Sequence, residues 1–248
     1  LSILPPCGCG GMLSALVSAS SRFFSSEVFS DMPQPLNRVV KTPTLLRFTD
    51  EAHAERPELA MLAMTLIAAW SRVDLNSSYI FALSIDAQHE RAAKLLNACE
   101  SAGARLSLIR TAIQDRLGDD ALALYSEIIK GATAAKNARN DFAHNLWAYC
   151  KNLPDALLLV DARYFAEFGA GAADRHSKRR AEGLPPTLSA KPIDHGRVDV
   201  YRKPELESLI AQARKTSRAL KLVQALFPNL GDLTVEQVRT LLQKDHLI

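Results

Sequence analysis

Apolar residues recur along this chain at helical rather than strand spacing. From Pro57 to about Arg72, Leu59, Leu62, Ala63, Leu66, Ile67 and Trp70 fall at three- and four-residue steps, which predicts an amphipathic helix. Asn76-Ser77-Ser78 is expected to break it, and Tyr79 to Ile85 then carries an apolar stretch compatible with helix or strand. The longest regular stripe joins Leu95, Cys99, Ala102, Leu106, Ile109, Ile113 and Leu117 at spacings of 4, 3, 4, 3, 4 and 4. It predicts one helix from Ala87 to Leu117, about 45 Å long at the α-helical rise. Gly118 follows, where a C-terminal glycine belongs, and Asp119 or Asp120 can cap the next helix. A turn that short makes the two helices antiparallel neighbours.

Leu122, Tyr125, Ile128, Ile129, Ala132 and Ala135 mark the next helix. It runs on into Asn137 to Trp147, with Phe142, Leu146 and Tyr149 as a further stripe. The pattern leaves open whether it kinks near Gly131 or Asn137. Asn152-Leu153-Pro154-Asp155 reads as a turn. Leu157–Val160 and Val198–Tyr201 read as two strands that pair, with a basic loop between them. Pro204 opens a strong helix, where Leu206, Leu209, Ala213, Thr216, Leu220, Val223 and Phe227 are spaced 3, 4, 3, 4, 3 and 4. Pro228 stops it, and Thr234-Val235-Glu236-Gln237 has the form of a capping box. The expected fold is mainly α, an antiparallel helical bundle with a small two-stranded β excursion. The expected organisation is a disordered extension over 1–40, a helical domain over 41–228 with a basic loop at about 166–197, and a short C-terminal helix in 229–248.

Composition narrows the class. The 248 residues are 48% hydrophobic and 23% charged, with four cysteines, which excludes a disulfide scaffold, collagen and wholesale disorder. The longest apolar run, Leu59 to Trp70, contains Thr65 and is too short to span a bilayer. The N-terminal stretch lacks the positive region of a secretory signal. Cys7 and Cys9 have no histidine or third cysteine beside them, and Cys99 falls on the apolar stripe. The expected compartment is therefore the cytoplasm, with no metal, cofactor or membrane partner. Net charge is +3, but it is uneven: residues 174–203 hold eight Lys/Arg against four acids. Arg175, Lys178, Arg179 and Arg180 in that segment are candidate RNA contacts, with Tyr164 and Tyr201 nearby as aromatic faces. A solvated loop is the plain alternative, with Phe165 and Phe168 anchoring it.

The most informative segment is Arg139-Asn140-Asp141-Phe142-Ala143-His144. Metal-independent RNA cleavage needs a proton acceptor or donor working near neutral pH, which histidine supplies. It also needs fixed positive charge on the crowded phosphate, which arginine supplies. Asn140 and His144 share a helix face, whereas Arg139 and His144 are about 140° apart, so they converge only at a helix start or between two copies. The plain alternative pairs Arg139 with Asp141 or Glu127 and half-buries His144 beside Trp147.

An arginine, a polar residue next to it and a histidine five positions on resemble the RX4–6H signature of the HEPN-domain family, within helices over roughly residues 55–226. The resemblance implies a HEPN-like bundle and a metal-independent endoribonuclease, with Arg139, Asn140 and His144 as the catalytic set. It implies a toxin or defence protein that acts as a homodimer, with RNA as substrate and an antitoxin as partner. The alternative it leaves is a non-catalytic helical module that binds a partner protein or a nucleotide.

Overall fold

The computed structural model describes residues 33–40, 45–48, 51–183 and 192–248. Helices dominate, with a five-stranded antiparallel sheet at one side. The central element is α3 (Pro57–Ser84), 28 residues long, with Pro57 in its first turn. It packs along α9 (Lys203–Val223) and also meets α4 (His89–Asn97), α5 (Ala102–Leu117) and α7 (Thr133–His144). Leu59, Ala63, Leu66, Trp70, Val73 and Ile80 of α3 bury against Leu206, Leu209, Ala213, Leu220 and Val223 of α9 in the main core. Lys203 pairs with Glu58 near both helix starts, and Asn76 bonds Ser217 further along both. The two helices therefore run parallel, and the antiparallel expectation fails for this central pair.

Asn76-Ser77-Ser78 does not interrupt α3. The buried Asn76 amide donates to the Ser217 carbonyl (3.0 Å) and to Ser217 Oγ (2.9 Å), so α9 satisfies it without the helix opening. The Tyr125 hydroxyl donates to Ser77 Oγ in the same way. The reverse error occurs downstream. The predicted helix over Ala87–Leu117 is two helices, because Ser101 turns extended and its side chain caps α5 by accepting from the Ala104 amide. Leu95 is left exposed, so the long stripe was a coincidence of two shorter ones. At Gly118, φ is +83°, a region only glycine enters easily, and α6 (Asp119–Gly131) starts there. The possible kink near Gly131 is a break at Ala132, after which α7 begins.

Helix α7 ends at His144. Asn145 is extended, and Trp147 Nε1 donates to the Phe142 carbonyl, satisfying a helix end. Leu146 and Tyr149 therefore belong to a strand, β3 (Leu146–Tyr149), and not to a helical stripe. The strands β4 (Ala156–Val160) and β5 (Val198–Arg202) pair as expected, Leu157 opposite Tyr201 and Leu159 opposite Asp199. The sheet has three further strands: β3, and the two-residue β1 (Gln34–Pro35) and β2 (Arg47–Phe48), in the order β1-β5-β4-β3-β2. All five residues of β4 are buried because Leu157 and Leu159 face the helices while Ala156, Leu158 and Val160 face a second core. That second core includes Leu36, which is fully buried at the start of α1 (Leu36–Val39). The extension expected over 1–40 is thus structured from Gln34 to Val39, while residues 1–32 lie outside the described residues.

The basic loop expected at about 166–197 is largely a helix, α8 (Ala162–Ala181). Asp161 caps it by accepting from the Tyr164 amide at 2.8 Å. No residue of α8 is buried, although Phe165 meets Phe48 over the second core. Residues 184–191 lie outside the described residues. The last helix, α10 (Val235–Lys244), opens on the expected capping box between Thr234 and Gln237. Among the described residues no helix is long and apolar enough to cross a membrane.

Candidate functional site

Helix α7 distributes its motif around its circumference, at about 100° per residue. Phe142 enters the core, against the rings of Trp147 and Tyr201. Arg139 and Asn140 face a cavity of about 300 Å³ enclosed by α3 to α7. Arg139 Nη1 donates to Asn140 Oδ1 at 3.0 Å. The Nε of Arg139 is buried and meets no hydrogen-bond acceptor among the described residues.

Three cations line this cleft, Arg105 from α5 with Lys136 and Arg139 from α7, against one acid, Asp74 from α3. Asp74 keeps a solvent-exposed edge, yet desolvation in the cleft raises its carboxyl above the ordinary value. The charge of Arg139, the bond from Trp70 Nε1 (3.1 Å) and the charges of Arg105 and Lys136 offset part of that rise. Tyr125 lines the inner wall, where burial raises its hydroxyl's pKa. The cleft therefore offers a cationic rim, aromatic walls and an arginine with an unused donor.

His144 is elsewhere. It is exposed at the last turn of α7 and does not line the cleft. The alternative pairings are absent too, since Glu127 pairs with Arg239 and Arg139 with Asn140. Asp141, between the two halves of the motif, points toward the sheet, where Tyr201 donates to its Oδ2 at 3.4 Å. Burial raises the Asp141 carboxyl, Asp199 adds to the rise, and the Tyr201 bond offsets part of it. Burial and these two carboxylates hold the Tyr201 hydroxyl far above its ordinary pKa.

A different histidine touches the rim. His89, the first residue of α4, is half-buried, stacked on Tyr79 with ring centroids 4.0 Å apart. Its Nε2 shares a hydrogen bond of 3.3 Å with Ser78 Oγ, and Ser78 lines the cleft. None of Arg175, Lys178, Arg179 and Arg180 lines the cleft; they follow one another along the C-terminal half of α8.

Sequence reasoning placed Arg139 and Asn140 together but missed Asp74, Arg105 and Lys136. Lys136 carried a signal, because Lys136, Arg139 and Asn140 stand at i, i+3 and i+4 on one helical face. Asp74 and Arg105 carried none, since only the packing of α3 and α5 brings them in. No family model matches the chain, and neither a curated protein nor a solved structure matches it.

Proposed function

We propose that this chain is a HEPN-like, metal-independent endoribonuclease that works as a homodimer. The observation that carries the reading is the Arg139–Asn140 pair, bonded at 3.0 Å on the wall of a cationic cleft, with His144 exposed one turn further along the same helix. An exposed His144 is accessible to a second copy, which fits a site shared between two chains. In the reaction the 2′-oxygen of RNA attacks the adjacent phosphorus and the bond to the 5′-oxygen breaks. A base takes the 2′-hydroxyl proton, and an acid protonates the leaving 5′-oxygen. The products are a 2′,3′-cyclic phosphate and a 5′-hydroxyl. His144 takes the acid or base role, Arg139 neutralises charge on the phosphate oxygens, and Asn140 holds Arg139 in place. A toxin or defence role, with an antitoxin protein to restrain it, follows from the same resemblance.

The test is cleavage of mixed single-stranded RNA in EDTA, with product ends analysed. Cyclic-phosphate ends from the wild type, lost in Arg139→Ala and in His144→Ala, are the expected result. Undiminished cleavage by His144→Ala would sink the assignment.

A second reading is a non-catalytic module that binds a nucleotide or a partner protein in the cleft. The observation that favours it is the separation of His144 from the cavity that holds Arg139. It predicts ligand binding that Arg139→Ala abolishes and His144→Ala leaves intact, with no cleavage in either case.

A further inference from the structure

On the flank of α3 opposite the cleft, α3 and α9 enclose a groove of about 570 Å³. Four of the side chains that line it are cationic: Arg72 on α3 and Arg214, Arg218 and Lys221 on α9. No Asp or Glu lines it, and none occurs in the sequence from Ser208 to Gly231. All four cations are exposed, and none forms an ion pair among the described residues. The floor is closed chemically, because Asn76 and Ser217 are buried and bonded to each other.

We propose that this groove binds the phosphate backbone of single-stranded RNA. A surface that gathers four positive charges without a counter-charge raises the local concentration of a polyanion and gains from counterion release. Arg214, Arg218 and Lys221 stand at i, i+4 and i+7, on one face of α9, with rises of about 6 and 4.5 Å between them. That is a track along the helix rather than a point site, so it suits a repeating charge. Three of the four are arginines, whose planar fork takes two phosphate oxygens at once. Leu75, 46% exposed in the groove wall, gives a sugar or base an apolar surface to rest on. The track and the cleft of Arg139 flank the same α3 stretch, from Ala69 to Ser78, on opposite sides of the helix. The choice of RNA over another polyanion rests on the ribonuclease reading above.

Binding is separable from cleavage with a fluorescein-labelled 12-nucleotide 2′-O-methyl RNA, which lacks the attacking hydroxyl. Its affinity is measured by anisotropy across a salt series. Arg214→Gln/Arg218→Gln/Lys221→Gln is expected to weaken binding at least tenfold and to flatten the slope of log affinity against log salt by about 2, at about 0.7 per lost contact. Arg72→Gln alone, on the other wall, should produce about one third of that slope change. Circular dichroism confirms that each variant is folded. Arg175→Gln/Lys178→Gln/Arg180→Gln on α8 is the comparison, and it should keep the wild-type slope. The proposal is overturned if the α9 triple variant binds like the wild type, if the α8 variant alone loses binding, or if a 12-residue polyglutamate competes as well as the RNA. Groove-dependent binding of the 2′-O-methyl strand with no cleavage of ordinary RNA would uphold the groove and sink the nuclease.

Discussion

The two flanks of α3 between Ala69 and Ser78 are both cationic, but only one of them holds a counter-charge. Trp70, Asp74, Ser77 and Ser78 face a cleft in which Arg105, Lys136 and Arg139 surround a carboxylate, and hydrogen bonds tie the parts together. Ala69, Arg72, Leu75 and Asn76 face a groove in which four cations stand unpaired. A turn of helix is enough to separate them, because neighbouring residues project about 100° apart. The cleft is preorganised by its own side chains, which suits positioning of a reacting group. The groove is ordered only at its floor, which suits a sliding, salt-sensitive hold on a long ligand.

The largest expected effect falls on the α7 side. If His144 supplies the proton transfer, His144→Ala lowers the cleavage rate by about 10²–10⁴, the usual worth of a positioned acid or base. Single-turnover cleavage of a labelled strand reads this directly. The same variant should bind the 2′-O-methyl strand as the wild type does, because the groove is untouched. A variant that lost binding and cleavage together would place His144 in strand capture instead of chemistry.

Next in size is the pin at the floor of the groove. Asn76→Ala removes the two bonds from the Asn76 amide to Ser217 in the α3–α9 interface. Loss of buried hydrogen bonds of this kind is expected to lower stability by about 1–3 kcal/mol, read as the urea midpoint at constant m value. Arg72→Gln, four residues earlier and exposed, should leave the midpoint nearly unchanged. If both variants destabilise alike, the groove cations are structural and the contrast between floor and rim fails.

These two residues also show what was legible in the chain and what was not. Asn76 reads as a helix breaker because its propensity is local, while its satisfaction comes from Ser217, far away in sequence. The stripes of α9 and the box that opens α10 were legible because each is decided within one or two turns. The β4–β5 pair was legible from its apolar run and its alternation. The strands β1 and β2 are two residues each, too short for any period to show. The basic run from Arg175 to Arg180 reads as loop, although Asp161 stands ready to cap α8. In the candidate site, Arg139 and Asn140 were found by adjacency on one helix. Asp74 and Arg105 come from other helices, so their meeting is a product of tertiary packing alone.

Smaller in effect is the titration of Asp74. Its folded-state pKa is raised, so the folded chain holds the proton more readily than the unfolded one. The stability this contributes is fully present below the unfolded value and is lost as pH rises through the raised folded value. Asp74→Asn should therefore flatten the decline in the urea midpoint between the ordinary carboxyl range and that raised value. The variant also makes the cleft resemble the groove, with three cations and no acid. If it is more stable than the wild type at neutral pH, burial outweighs the pull of Arg139, Arg105 and Lys136, as the direction of the shift requires. If it is less stable, the carboxylate holds the cleft together and the shift has the wrong sign.

The smallest effect is also the most pointed test of the groove. Arg214 and Arg218 stand at i, i+4 with no acid within four residues of either, and like charges so placed destabilise a helix by about 0.2–0.5 kcal/mol. Arg218→Gln should raise the unfolding midpoint by that amount at low salt, and the gain should vanish in about 1 M salt, where the Debye length is near 3 Å. The same substitution should weaken strand binding. A residue that lowers stability and raises affinity is kept for its ligand, whereas one that supports the fold lowers both when removed. Loss of stability on Arg218→Gln would therefore assign the arginine to the α3–α9 interface, and the unpaired charge would need no polyanion to account for it.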